Sequence, residues 1–295
     1  MPAIIERVAD AGFEGVEFAN RFHEADPDAV ADALAESDVE PIGAHVGLSE
    51  LENDLDEHAE RYKEIGCRTL VIPHLPISHF RTERRILELA VRLNSVGEML
   101  ADRGFDLVYH NQTHDFLPLS DRTPFTPVLV RDPPAAELLS RTPIGPELPS
   151  KFTALSELID DRFFQLREQY RGRPDPPIDE TAFGRLVSET DSDFVSFEVD
   201  IGAVTAAGRD PVEVLEYVDD RLLNVHLKDV ASGQGIPGTG QQSVDPGTGE
   251  VDFQPAVDAA RRIGAEWFVY EHDDPDDPVT TLRECASSAE TLFVD

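Results

Sequence analysis

Residues 194–229 read FVSFEVDIGAVTAAGRDPVEVLEYVDDRLLNVHLKD. An apolar run ends in Asp200, a helical stretch starts near Pro211, and a second apolar run ends in His226. Two buried strands separated by one helix make a βαβ unit, and its strands lie parallel. The pattern recurs on both sides. IGAHVG ends at His45, LVIPHLP at His74, LVYHNQTHD at His110 and His114, and WFVYEHDD at Glu271 and His272. Six of the nine histidines thus sit at or just beyond the end of an apolar run. A parallel β/α barrel builds its active site from the carboxyl ends of its strands. The chain therefore reads as an α/β, (β/α)8 TIM barrel with one polar pocket assembled from many segments, and as an enzyme.

Helical stripes fill the intervals. Ile4, Ile5, Val8 and Ala11 form one, closed by Gly12; Leu51, Leu55, Ala59, Tyr62 and Ile65 form another, closed by Gly66. Further helices are predicted near 28–37, over Ile86–Leu100, near 211–218, over 253–263, and in a closing segment that ends at Phe293. The strands are GVEF, PIGAH, TLVIPH, DLVYHN, FVSFEVD, LLNVHLKD and WFVYEH, which makes seven rather than eight. The chain opens in a helix, so the first strand of a closed barrel is missing from the pattern. Residues 120–179 break the rhythm with PFTPVL, RDPPAA, RTPIGPELP and RPDPPID, and carry one expected helix near 154–170. Residues 1–295 are taken as a single domain, with 120–179 an insert, a lid or a subunit contact within it.

The balance of 59 acidic against 25 basic residues leaves a net charge of −34. Such a surface repels nucleic-acid phosphates and anionic membranes. The charge is spread along a chain that is 40% hydrophobic, which argues for a folded protein with an acidic surface rather than a disordered tail. Cytoplasmic proteins of extreme halophiles carry this composition, their self-repulsion screened by salt. Two cysteines, Cys67 and Cys285, exclude a disulfide framework and a cysteine-based zinc site. The amphipathic start MPAIIERVADAG reads as a helix rather than a signal peptide, and no apolar run approaches membrane-spanning length, so the expected location is cytoplasmic.

Asp200, His226 and Glu271 end three different strands, and this mixed oxygen and nitrogen set suits one divalent ion: Mn²⁺, Co²⁺, Zn²⁺ or Mg²⁺. Lys228 stands out in a chain with only three lysines, and period-two alternation puts it on the same face as His226. It reads as a cation for a substrate oxygen or an enediolate, against a Schiff-base role or an interior ion pair with Asp229 or another carboxylate. A metal that chelates a carbonyl and its neighbouring hydroxyl acidifies the carbon between them and stabilises the enediolate; Glu271 or a histidine then acts as base. His45 and His74 end earlier strands, as substrate ligands or acid/base groups, with His74 taken as catalytic. Asn111, Asp229 and His272 are candidate substrate-binding residues of the pocket wall. His226 is expected to have its orientation fixed by a second carboxylate. The glycines of 238–240 and 246–250 lack the strand–GxGxxG–helix setting of a dinucleotide site and read as a flexible loop.

AGFEGVEFA, YHNQTHDF, FEVDIGAVTAAGRDPVEVL, NVHLKD and GTGEVDF followed by EWFVYEHDDP together resemble the sugar phosphate isomerase/epimerase group of xylose isomerase-like TIM barrels, which also contains endonuclease IV and inosose dehydratase. In that family one divalent metal is held by a glutamate, an aspartate, a histidine and a second glutamate from successive strands. The resemblance carries the last three onto Asp200, His226 and Glu271. At the first position this chain has His110, as in a subgroup with a YHNHxxEF motif, although Gln112 replaces its histidine and Asp115 its glutamate. His110 is the expected fourth ligand, with Asp115 or a water as alternatives. The two-glutamate epimerase scheme does not transfer with a histidine there. The resemblance thus implies a metal-dependent isomerase, epimerase or dehydratase acting on a sugar, keto-sugar or inositol-type polyol, possible as a homo-oligomer. The alternatives are an inactive barrel serving as a binding or scaffold protein, supported by the missing strand, and an endonuclease IV-like repair enzyme, opposed by the charge.

Overall fold

The structure, a computed structural model, describes residues 1–19, 22–119, 176–231 and 242–293. Seven strands form one sheet in chain order: β1 (Gly15–Phe18), β2 (Glu40–His45), β3 (Thr69–Ile72), β4 (Asp106–His110), β5 (Ser196–Asp200), β6 (Leu222–Leu227) and β9 (Trp267–Tyr270). Every neighbouring pair is parallel. Helices α1 (Pro2–Asp10), α2 (Pro27–Ser37), α3 (Leu48–Glu64), α4 (Glu83–Ala101), α5 (Ala182–Glu189), α6 (Ile201–Ala206), α7 (Pro211–Val218), α8 (Phe253–Ile263) and α9 (Pro278–Leu292) alternate with the strands. The sheet curls into a nearly closed barrel, so the seven-strand reading and the fold class hold.

Local chemistry explains several element starts. Pro27, Pro211 and Pro278 each open a helix, where a missing N–H is harmless, and Asp26, Asp210 and Asp277 cap them by accepting the N–H two residues on. Gly264 ends α8 at φ 104°, a backbone region that favours glycine. Tyr109, Phe197, Val199 and Val225 are wholly buried on the central strands, whereas all four residues of β9 are only half-buried. That difference follows from topology, because β1 and β9 are the two ends of the sheet and do not pair with each other.

Three elements were not anticipated. Helix α5 follows the insert, and α6 is a six-residue turn capped by Asp200 Oδ1, which accepts from Ala203 N at 2.9 Å. The third is a hairpin of β7 (Asp229–Ala231) and β8 (Gln242–Val244), in a segment read as a flexible loop. Its strands are too short to show a period in sequence. The helix expected over 154–170 lies outside the described residues. The two ends of that excursion are joined: Leu119 N donates to Glu180 O at 2.7 Å and Ala182 N to Leu117 O at 3.0 Å. Cys67 and Cys285 are both buried and unpaired, and no described helix is long and apolar enough to cross a membrane.

The net charge of −34 sets a salt dependence. The screening length falls from about 10 Å at 0.1 M to about 3 Å at 1 M salt, which weakens repulsion among exposed carboxylates. Thermal unfolding followed by circular dichroism is expected to shift upward by several degrees or more between dilute buffer and multimolar KCl. An unchanged midpoint would show that surface repulsion does not limit stability.

Candidate active site

The strand ends converge as the parallel register requires. Asp200 and His226 are direct partners on β5 and β6, and His226 pairs with Val269 on β9, two residues before Glu271. His226 Nδ1 lies 2.9 Å from Glu271 Oε2, and Lys228 Nζ lies 3.5 Å from Glu271 Oε2, 3.8 Å from Asp200 Oδ2 and 2.8 Å from Asp273 Oδ1. His110, at the end of β4, places Nε2 3.7 Å from Asp200 Oδ2. His110, Asp200 and Glu271 each offer a ligand atom, all within 4.8 Å of one another. The structure therefore gathers His110, Asp200, His226, Lys228 and Glu271 at one end of the barrel.

Their electrostatics follow from burial among like charges. Burial raises the Asp200 carboxyl to about 6, with Lys228 only partly offsetting it. Burial also disfavours the Glu271 carboxylate, but Lys228 and then His226 overcome that and hold its pKa well below the usual range. Burial works against the Lys228 ammonium too, and Glu271 and Asp200 reverse it, so the lysine keeps its charge.

Two residues that sequence reasoning missed complete the cluster. Glu17 on β1 accepts from His226 at 2.8 Å through Oε2, which also lies 3.2 Å from His45 Nε2. Glu198, two residues before Asp200 on the same face of β5, lies 3.0 Å from His226 Nε2 and 3.2 Å from His110 Nδ1. Both carboxylates are buried, with side-chain exposures of 4% and 0%. The expectation that a carboxylate fixes His226 is met by both. Burial would lower the His226 pKa, but Glu198 and Glu17 raise it well above the ordinary value. His110 goes the other way, pulled down by burial and then by His226.

The remaining candidates are placed as follows. His45 faces Glu17 low in the cluster, its ring 6.0 Å from that of His110. Asn111 is wholly buried, accepts from Asp200 N at 3.0 Å and donates to Asp200 O at 3.4 Å, so it braces β5 against β4. Asp229 points away from Lys228, as alternation dictates. Its buried carboxylate accepts the backbone N–H groups of Val230, Gly247, Gly249 and Val251 at 2.8–3.2 Å. A side chain on Gly249 would collide with that carboxylate. His272 Nε2 lies 3.6 Å from Asp245. His74 is exposed, its ring 5.7 Å from that of His114, whose Nε2 lies 3.0 Å from Leu75 O. Asp115, the alternative ligand, sits elsewhere: Oδ2 accepts from Tyr109 Oη at 2.6 Å and Gln112 N at 2.9 Å.

A cavity of about 920 Å³ runs between β1 and β9 and between α1 and α9. Val16, Trp267, Phe268 and Phe293 line its apolar part, and Glu17, His45, His226 and Glu271 its polar end. The cluster is thus open to the side of the barrel as well.

A family model described as xylose isomerase-like TIM barrel matches residues 177–290. An inosose dehydratase from Lacticaseibacillus casei is 32% identical over 105 residues, 31% of this chain and 35% of that relative. The match thus spans about a third of the curated relative. A sugar phosphate isomerase/epimerase from Parabacteroides distasonis superposes with a TM-score of 0.65 at 17% identity, covering 97% of this chain and 86% of that one. The IolI protein, solved with a bound zinc atom, gives a TM-score of 0.62 at 14% identity over 100% of this chain and 92% of its own. At these identities the superpositions establish the fold.

Asp115 generates a pH prediction. Burial raises its carboxyl from 3.8 to about 7, with Gln112 N–H and the Tyr109 hydroxyl pulling the other way. A raised acid pKa favours the native state at low pH, so this contribution is full below about 4 and disappears as pH rises to about 7. Asp115→Asn should remove that fall. The stability difference between wild type and variant, measured by urea unfolding, is expected to change by up to about 4 kcal/mol between pH 4 and 8. A difference independent of pH would show that Asp115 titrates normally.

Proposed function

We propose that this protein is a divalent-metal-dependent enzyme that removes a proton next to a carbonyl in a sugar, keto-sugar or inositol-type polyol, as an isomerase, epimerase or dehydratase. The observation that carries it is the meeting of His110, Asp200, His226 and Glu271 with Lys228 at the carboxyl ends of parallel strands. The donor set fits such an ion: two carboxylates and two imidazoles, with three ligand atoms already within 4.8 Å of one another. The far nitrogens of both histidines face carboxylates, Glu198 for His110 and Glu17 for His226, which is how ligand imidazoles are held in one tautomer. An ion held there supplies Lewis-acid polarisation of a carbonyl and its neighbouring hydroxyl, which makes the adjoining C–H acidic.

The chain's own groups do the rest. Glu271 is kept ionised by Lys228 and His226, and its side chain retains 27% exposure, so it can reach a substrate proton. Lys228, on the same face, stabilises negative charge that develops on the substrate oxygen. Asp273 holds the lysine at 2.8 Å from the solvent side. The three reactions share this deprotonation and differ in its sequel: the proton returns to the neighbouring carbon, returns to the opposite face, or a β-hydroxyl leaves as water. The inosose dehydratase relatives support the last of these.

The shared step gives the test. Metal-loaded protein in D₂O with an inosose or a ketohexose should exchange the C–H next to the carbonyl, read by proton NMR. Glu271→Gln is expected to lower that rate by about 100-fold or more. Absence of exchange with every keto-polyol offered, or a wild-type rate in Glu271→Gln, would refute the assignment. His110→Ala should weaken binding of the same ion by about tenfold or more in equilibrium dialysis; unchanged affinity would remove His110 from the ligand set.

A further inference from the structure

Glu17, His45 and Glu198 touch no reacting atom in the reaction just described, and their chemistry is that of a site in its own right. Glu198 lies two residues before Asp200, so it sits about 6.6 Å further down β5 on the same inward face. His45, His110, Glu198 and His226 each offer a ligand atom, all within 4.8 Å of one another, and Glu17 Oε2 reaches both His45 and His226. We propose that Glu17, His45, Glu198 and the Nε2 of His226 form a second cation site, below the mouth of the barrel, that takes a transition-metal dication.

Three observations carry this. First, among the described residues neither Glu17 nor Glu198 is paired with a lysine or arginine; their ionic contacts are all histidines. Two buried carboxylates without a permanent cation are costly unless positive charge comes from elsewhere. Second, His45 Nε2 is buried without a hydrogen-bond partner, although it points at Glu17 Oε2 from 3.2 Å, and Glu17 Oε1 is unpartnered too. Two ligand-type atoms this close with no hydrogen bond to satisfy His45 Nε2 suit two ligands converging on a third body. Third, the ring nitrogens can be shared without conflict. If His226 gives Nε2 downward, its Nδ1–H donates to Glu271 at 2.9 Å; if His110 gives Nε2 upward to the mouth, its Nδ1–H donates to Glu198 at 3.2 Å. Both positions then fill with every imidazole neutral; in this two-ion form His226 serves the deep ion instead of the mouth ion, which is held by His110, Asp200 and Glu271.

Imidazole and carboxylate donors in this ratio select Zn²⁺, Mn²⁺, Fe²⁺ or Co²⁺ over Mg²⁺ and Ca²⁺, which prefer all-oxygen shells. The competing arrangement fills the pocket with protons, as charged His226 and His45 beside Glu17. The deep site meets the proposed reading only at His226, the one residue that both sets claim; Glu17, His45 and Glu198 lie outside the mouth set.

Elemental mass spectrometry of the full chain, loaded with Zn²⁺ and desalted, decides between the two. Wild type is expected to hold two zinc ions per chain. His45→Gln and Glu198→Gln should each keep one, and Asp200→Asn should keep one, lost from the other position. A wild type that holds a single zinc, retained in both deep variants and lost in Asp200→Asn, would overturn the deep site and leave the mouth site standing. One zinc lost in the deep variants but kept in Asp200→Asn would uphold the deep site and remove the mouth ion. A single wild-type zinc that all three variants lose means one shared centre, and no zinc in wild type means a protonated pocket; both overturn the proposal. Should the deep variants fail to fold, Co²⁺ titration of the intact protein, read by d–d absorption, gives two successive equivalents if the proposal holds and one or none if it does not.

Discussion

Four carboxylates, Glu17, Glu198, Asp200 and Glu271, converge inside the barrel, and among the described residues one lysine faces them. Charges of one sign cannot be packed this closely in a low-dielectric interior without compensation. The histidines supply it locally. His226 stands between three of the four, with one ring nitrogen on Glu271 and the other facing Glu17 and Glu198. His110 links Glu198 to Asp200 in the same way. The arrangement makes each imidazole a relay between an upper and a lower carboxylate, so the protonation or metallation of one nitrogen dictates what the other can do. Removing one carboxylate would unbalance the remaining set rather than relieve it.

The barrel holds this charge in place through backbone contacts at the strand ends. Parallel pairing sets Asp200 level with His226, and Asn111 grips both the N–H and the C=O of Asp200 from the next strand. Asp200 is further committed by capping α6, which leaves Oδ2 to face His110 and Lys228. Beyond β6, Asp229 gathers four backbone N–H groups and fixes the segment that leads into α8. A carboxylate so used is unavailable to a substrate, and its neighbour Lys228 is turned by alternation to the opposite, functional side.

The fold and the upper half of the site were legible because apolar runs that stop in Asp, His or Glu carry their own punctuation. The lower half was not. Glu17 and Glu198 lie inside the runs GVEF and FEVD rather than at their ends. In a chain with 59 acidic residues, one acid within a strand reads as an outward-facing residue. A signal did exist: Glu198 and Asp200 are two apart, so if Asp200 points inward Glu198 must as well. Asp115, the alternative ligand, shows a related point, since a motif position gives order along the chain but not the direction of a side chain. Its carboxylate turns back onto Tyr109 and Gln112 N, in a buried pocket of its own.

The open seam gives the lower cluster a mechanical meaning. In a closed barrel a ladder of backbone hydrogen bonds would tie the first strand to the last, yet here β1 and β9 do not pair, and an apolar cavity runs between them. Apart from its ladder with β2, β1 is tied across the interior by Glu17, whose bond to His226 on β6 spans the barrel like a strut. A cation held by Glu17, His45, Glu198 and His226 would join β1, β2, β5 and β6 at one point, much as a structural metal staples a small domain. Because binding to the folded form alone stabilises it by mass action, closure of the barrel and occupancy of the deep site would be thermodynamically linked. The side chains that balance the buried charge would then also hold the unpaired edge of the barrel in register.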